Sequence, residues 1–195
     1  MTTHVGRPAG AARERLLSVA LDLFAVHGVS GTSLQMIADV LGVTKAAVYH
    51  QFQSKEEIVL AVVAPAVDSV ARIADLAEAR RSPASRREAA LSGLVDLVVK
   101  NRRLAAVLRA DPTVGQLIRE YPDMVELSRR IGRLLTGPDP APEIVVGAAM
   151  VGGGLMIAGM DPTLAEFDDE ALRRHLLSGA RRLLRVRTPG VGQQT

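Results

Sequence analysis

Residues 42–57, "GVTKAAVYHQFQSKEE", hold the end of one helix, a tight turn, a short second helix and the start of a third. Gly42 supplies a helix stop. Thr44 is a helix N-cap, and Val43 and Val48 stand at the N′ and N4 places of a hydrophobic staple, which sets the angle of entry. The new helix is short, because Ser54 with Glu57 reads as a capping box that starts the next one. Val48 and Phe52, four apart, face inward. Lys45, Ala46, Tyr49 and His50 are left facing out. With Thr44 and Lys55 they offer a set of hydrogen-bond donors to an anion.

Upstream, Arg13 to His27 carries Leu16, Leu17, Ala20, Leu23 and Phe24 at amphipathic-helix spacing, and Gly28 ends it. "GVSGT" reads as a turn. A second helix opens at Thr32, with Gln35 completing a capping box, and buries Leu34, Ile37, Ala38 and Leu41. Two helices joined by Leu41-Gly42-Val43-Thr44, with a third packed behind, form a helix-turn-helix. A helix enters the major groove of B-DNA when its open face is small near the axis and rich in donors at its edges. Ala46 and Ala47 allow close approach and contact with thymine methyls. Lys45 reaches guanine acceptors or a phosphate. Tyr49 and His50 sit where the groove wall presents phosphates, and Thr44 brings its hydroxyl and the helix amides to another.

Downstream, a fourth helix runs through Ile58, Val62, Val70 and Leu76 to about Arg80, with a kink expected at Pro65. "RRSPAS" breaks the pattern. Helices follow at Arg86 to Val99, about Arg102 to Ala110, Asp123 to Leu135, Glu143 to Gly159 and Asp168 to Val186, and the tail "TPGVGQQT" frays. No alternation of period two indicates a sheet. The expected fold is all-α, about nine helices in total. Residues 1–57 form the helix-turn-helix domain and residues 58–195 the ligand-binding and dimerisation domain.

The 195 residues suffice for a real core, and 48% hydrophobic against 23% charged residues excludes a disordered chain. The absence of cysteine removes disulfides and thiolate metal sites and suits a reducing, cytoplasmic setting. The N-terminus has no apolar run of a secretory signal. "IVVGAAMVGGGLMIAGM", Ile144 to Met160, is uncharged but shorter than the roughly 20 residues a membrane span needs and lacks anchors, so it reads as a buried helix. Net charge of +3 permits nucleic acid without demanding it. His4, His27, His50 and His175 are scattered, and no nucleophile, phosphate-loop or metal pattern appears. The chain therefore reads as a non-enzyme with neither cofactor nor metal. In "GRPAG", Arg7 on a flexible arm suits a minor groove, and a plain leader explains the segment equally well.

A single short helix touches too few bases for a specific site, so the body should dimerise. Ala148, Gly152, Leu155 and Gly159 make a small-residue seam, and Leu172, Leu176, Ala180 and Leu183 a matching stripe; either two such helices from each subunit make a four-helix bundle, or the stripes pack within one subunit.

Residues Leu16 to about Leu60 resemble the DNA-binding head of the tetracycline-repressor (TetR) family of bacterial transcription regulators. The matching words are "LFAVHGVSGTS", "MIADVLGV" and "TKAAVYHQFQSKEEI". The resemblance implies a regulator, with contact to double-stranded, palindromic operator DNA at Thr32, Ser33, Gln35, Thr44, Lys45, Ala46, Ala47, Tyr49, His50 and Lys55. Ala47 stands where many relatives have Thr or Ser, which removes one hydrogen bond. It also implies the bundle dimer and a pocket for a small-molecule effector, with Leu94, Val98, Asn101, Leu104, Leu108, Met124 and Leu127 as candidate lining and Asp96 as a second polar anchor. Scarce aromatics point to an apolar ligand. A repressor released by that ligand through the fourth helix is the expected mechanism. An activator, a non-specific DNA-architectural protein and an enzyme without a recognisable motif are the alternatives.

Overall fold

The computed structural model describes residues 9–102, 104–105, 116–117, 124–159 and 161–185. The protein is all-α: eight α-helices, one 3-10 turn and no strand occur among the described residues. The helices are α1 (Ala9–Gly31), α2 (Leu34–Leu41), α3 (Lys45–Gln51), α4 (Lys55–Glu78), α5 (Pro83–Lys100), α6 (Met124–Thr136), α7 (Pro142–Ala158) and α8 (Asp169–Leu183), with the 3-10 turn at Pro162–Leu164. The chain divides into two compact units, residues 1–65 with 106–121, and residues 66–105 with 122–195. The first division falls inside α4 at Pro65, eight residues beyond the boundary drawn from sequence at 57.

The first unit is built on one apolar cluster. Leu16, Ala20 and Phe24 of α1, Ile37 and Ala38 of α2, Val48 of α3, Phe52, and Ile58 and Val59 of α4 are all buried. The spacing of four in Leu16, Ala20 and Phe24, and again in Val48 and Phe52, puts one stripe of each helix inward. α1 extends beyond the expected 13–27, but Gly28 breaks it as its sequence implies, with φ 71 and ψ 166. Gly42 ends α2 at φ 68, and the Val43 and Gly42 N–H groups donate to the carbonyls of Ala38 and Asp39 at 3.0 and 3.2 Å. This Schellman pairing needs a left-handed residue, which glycine adopts without a steric penalty.

In the second unit, α4 buries Val67, Ala74 and Ala77, whereas Leu76 is 65% exposed. The phase is set by close approach to α5: a Cβ on Gly93 would lie 2.8 Å from Ile73. Gly93 is the small partner at that crossing, and the Ile73 side chain occupies the space a Cβ there would need. Pro65 lies inside α4. α5 starts at Pro83, earlier than expected, because Ser82 and Ser85 form a reciprocal capping box with Pro at the first helical position. α8 runs antiparallel along α5 on a charge ladder, in which Arg181 pairs with Glu88, Arg173 with Asp96 and Arg102 with Asp169. No helix among the described residues is long and apolar enough to cross a membrane.

The expected dimer seam divides. Leu155, Gly159, Leu172 and Ala180 are buried within the chain itself, Ala148 and Leu176 are half-buried, and Gly152 and Leu183 are exposed. The inner row of α7 is Gly147, Val151 and Leu155. Its open face carries Val146, Met150, Gly153 and Ile157, the same spacing two residues earlier. Two residues are about 200° of helix turn, so the seam read from sequence mostly marks the opposite side.

A Cβ added to Gly147 would lie 2.7 Å from the Leu183 carbonyl oxygen, a backbone atom that cannot rotate aside. Gly147→Ala should therefore destabilise the chain by about 1–2 kcal/mol, the overpacking cost less the helix-propensity gain. Gly132→Ala in α6, with nothing within 4 Å, should stabilise by up to ~1 kcal/mol. Urea unfolding followed by circular dichroism separates the two; a Gly147→Ala chain as stable as the parent would refute the α7–α8 contact.

Candidate nucleic-acid interface

α3 is positioned from within by Val48, fully buried, and Phe52, 3% exposed. Arg13 of α1 lies over the Phe52 ring at 4.8 Å, tying the end of α3 to α1. The N-terminus of α3 is closed as its sequence implies: the Thr44 hydroxyl accepts the Ala47 N–H at 3.2 Å. Val43 stays 45% exposed, so the staple is only half covered.

With Val48 turned in, Thr44, Lys45, Ala46, Ala47, Tyr49, His50 and Gln51 are all exposed. No carboxylate lies in α3. Lys45 and Tyr49 share one edge, the ammonium 5.6 Å from the ring centroid. That stacking restricts both side chains before any partner arrives. The nearby carboxylates are engaged in capping: Glu57 accepts the Gln53 N–H at 2.8 Å, and hydrogen bonds from the backbone and Ser54 hold the Glu56 carboxyl below its ordinary range. The Ser54–Glu57 box forms one residue out of step, since the return bond goes to Gln53 rather than Ser54. The open face of α3 is thus weakly positive, small at its centre and rich in donors.

Several candidate contacts fall elsewhere. Thr32 is 2% exposed and its hydroxyl donates to the Gly28 carbonyl at 2.8 Å, so it stabilises the break in α1 rather than facing outward. The N-cap of α2 is Ser33, which accepts the Met36 N–H, and the expected Thr32–Gln35 box does not form. Gln35 is exposed and donates to Asp39 at 2.7 Å. The Lys55 ammonium donates to the carbonyls of Ser30 and Thr32 at 3.3 and 3.2 Å. Those acceptors are left over where α1 breaks, and the lysine braces the α1–α2 corner. Arg7 lies outside the described residues.

Gln51 lies one turn beyond Ala47 on the same exposed face of α3. With Ala47, Arg15 and Val43 it lines a groove of about 560 Å³ beside α3. Thr44→Ala should cost about 1 kcal/mol of stability, the usual effect of losing an N-cap. Thr44→Ser should restore it; equal melting of all three chains would show that the cap does not hold α3.

In the body, Leu94, Val98, Leu104 and Met124 are half-buried and Leu127 is buried, while Leu108 lies outside the described residues. The Asn101 amide donates to the Leu97 carbonyl at 2.8 Å, capping α5, and Asp96 is engaged by Arg173. Neither the head groove nor a second pocket between α5 and α6 is lined by the ligand candidates. Among the described residues no three His, Asp or Glu side chains are grouped to hold a metal.

The sequence profile of the family described as bacterial regulatory proteins, tetR family, matches residues 16–62. The HTH-type transcriptional regulator SrpR of Pseudomonas putida is 39% identical over 64 residues, 33% of this chain and 30% of that protein. The match therefore spans less than a third of that relative's length. Among solved structures, the ketosteroid transcriptional regulator KstR2 of Mycobacterium tuberculosis has a TM-score of 0.67 at 17% identity, covering 93% of this chain and 97% of that one. A transcriptional regulator of Aquifex aeolicus VF5 has a TM-score of 0.70 at 19% identity, with 88% and 98% coverage. At such identities the structural likeness speaks for the fold.

Proposed function

We propose, from the match of residues 16–62 to the tetR family of bacterial regulatory proteins, that the whole chain is a dimeric transcriptional regulator that reads a palindromic operator. The observation that carries the reading is the division of α3 into a buried side, Val48, and an open side of Lys45, Ala46, Ala47, Tyr49 and His50. Phosphate contacts from Lys45, Tyr49 and His50 would position the helix, and the alanines would let it approach base edges.

Dimerisation is supported by α7. This helix is apolar on both sides, yet Val146, Met150 and Ile157 are 59, 57 and 62% exposed on the chain alone. An all-round apolar helix is normally covered. A second copy meeting it there, with Leu183 of α8 at the edge, gives the two-fold arrangement that paired half-sites require. Selection from a random duplex library tests the reading. A two-fold symmetric consensus is expected; equal recovery of all sequences would favour an architectural protein instead. Met150→Arg should shift sedimentation from dimer to monomer, and an unshifted dimer would place the interface elsewhere.

The direction of control is proposed as repression, relieved by a small apolar effector held in the body near Leu94, Val98, Leu104 and Met124. The effector and operator oppose each other through a coupling of about 1–3 kcal/mol, which is 5- to 150-fold in affinity. A titration in which a bound effector leaves operator affinity unchanged would reject it.

A further inference from the structure

The segment "RRSPASRR", residues 80–87, places four arginines around the turn into α5. None of the four pairs with a carboxylate among the described residues. Arg86 Nε donates to the Arg80 carbonyl at 2.8 Å, and Arg87 Nη2 to the Thr136 carbonyl at 2.8 Å at the end of α6. Arg87 Nε is buried with no partner, the only such side-chain polar atom among the described residues. Gly137 lies over this guanidinium, where a Cβ would be 3.3 Å from Nη2.

Beside it is a pocket of about 340 Å³ lined by Arg86 of α5 and by Arg130 and Arg133 of α6. Glu78 also lines it, but its carboxylate is held by Arg130 Nε and Nη2 at 3.0 and 2.7 Å, with Asp75 on the same guanidinium at 2.6 Å. The hydrogen bonds from Arg130 keep Glu78 below its ordinary range. Arg133 shares Glu126 with Arg129, so this group of three retains a positive charge. The acids here are saturated by α6 arginines, and the four cations of residues 80–87 are left over.

We propose that this α5–α6 corner binds a small, multiply charged phosphate compound, a site separate from the DNA-reading face. Guanidinium groups from two helices, Arg86 and Arg133, converge on one pocket, and each matches phosphate oxygens with paired N–H donors. Arg86 has no carboxylate and Arg133 shares its one with Arg129, so a diphosphate can reach both guanidiniums and balance the excess charge. The volume stands at the small end of ligand pockets, which suits a free phosphate compound or the phosphate end of a larger one. The partly desolvated Arg87 beneath strengthens attraction to an anion, since its charge is less screened than one in water.

Calorimetric titration of the full chain with inorganic pyrophosphate, at constant ionic strength and without metal, tests the site. Binding is expected in the micromolar to millimolar range, weakened about tenfold or more by Arg86→Gln and separately by Arg133→Gln. Arg182→Gln, an exposed arginine on α8, should bind as the parent does. No heat above matched chloride with the parent chain overturns the proposal without any variant, as does unchanged affinity in both folded variants. If pyrophosphate fails while both variants weaken binding to unrelated duplex and flatten its salt dependence, the corner is a DNA-backbone surface, and the proposal fails in that form. A nucleoside diphosphate binding more tightly than pyrophosphate would identify the phosphate as the end of a larger ligand. Operator affinity is read separately, so loss of this site leaves the regulatory reading standing, and the reverse.

Discussion

Changing Lys45 and Tyr49 together to alanine should lower affinity for the selected operator by about a thousandfold while the chain remains folded. Each side chain at a groove contact contributes about 1–3 kcal/mol, and about 4 kcal/mol for the two is three decades in Kd. Both residues are exposed and neither supports the head core, so stability should fall only by the ~0.5–1 kcal/mol of their stacking. Because Lys45 rests on the Tyr49 ring, either single change disturbs the other residue, and the double loss should be smaller than the sum of the two. Salt dependence identifies the partner of Lys45. If the ammonium meets a phosphate, the slope of log K against log salt should flatten by about 1; if it meets a guanine, the slope should hold and one base position should relax. A folded double variant that binds the operator as the parent does would remove α3 from the interface.

Phe52→Ala should abolish DNA binding by a different route, through collapse of the head. The ring is 3% exposed, closes the end of α3 and carries the Arg13 guanidinium on its face. Truncating a buried Phe costs about 3–5 kcal/mol, a large share of the 5–15 kcal/mol that holds a typical domain together. Hydrogen exchange should show the α3 amides unprotected, whereas in the Lys45/Tyr49 double variant they stay protected. Phe52→Leu, which keeps most of the volume, should recover most of the stability. Native-like protection in Phe52→Ala would mean that α3 is anchored by Val48 alone.

The contrast between these two variants follows a division that was legible in the sequence. The Thr44 cap, the Gly42 stop and the inward pair Val48 and Phe52 are signals within one or two helical turns, and each stands in the structure where its spacing implied. The open side of α3 follows from them by subtraction. Two of the contacts that the resemblance implies have intramolecular partners instead. Thr32 and Lys55 both carry suitable donors, but the break at Gly28 leaves carbonyls that they satisfy, in the case of Lys55 from residues 23 and 25 positions away in the chain. No local pattern announces an acceptor so far off.

Sequence by itself determined the all-helical class, most helix ends and the outward face of α3, because caps and 3.6-residue periodicity act over a few residues of the same chain. Tertiary structure decided which side of α7 is open, why Leu76 rather than Ala77 meets solvent, and that the arginines of α6 take the nearby carboxylates while Arg86 of α5 is left without one. An apolar helix such as α7 has no periodic contrast to orient it, so its facing is settled by the close contacts at Gly147 and Gly159. Those contacts depend on neighbours brought together only in the folded chain.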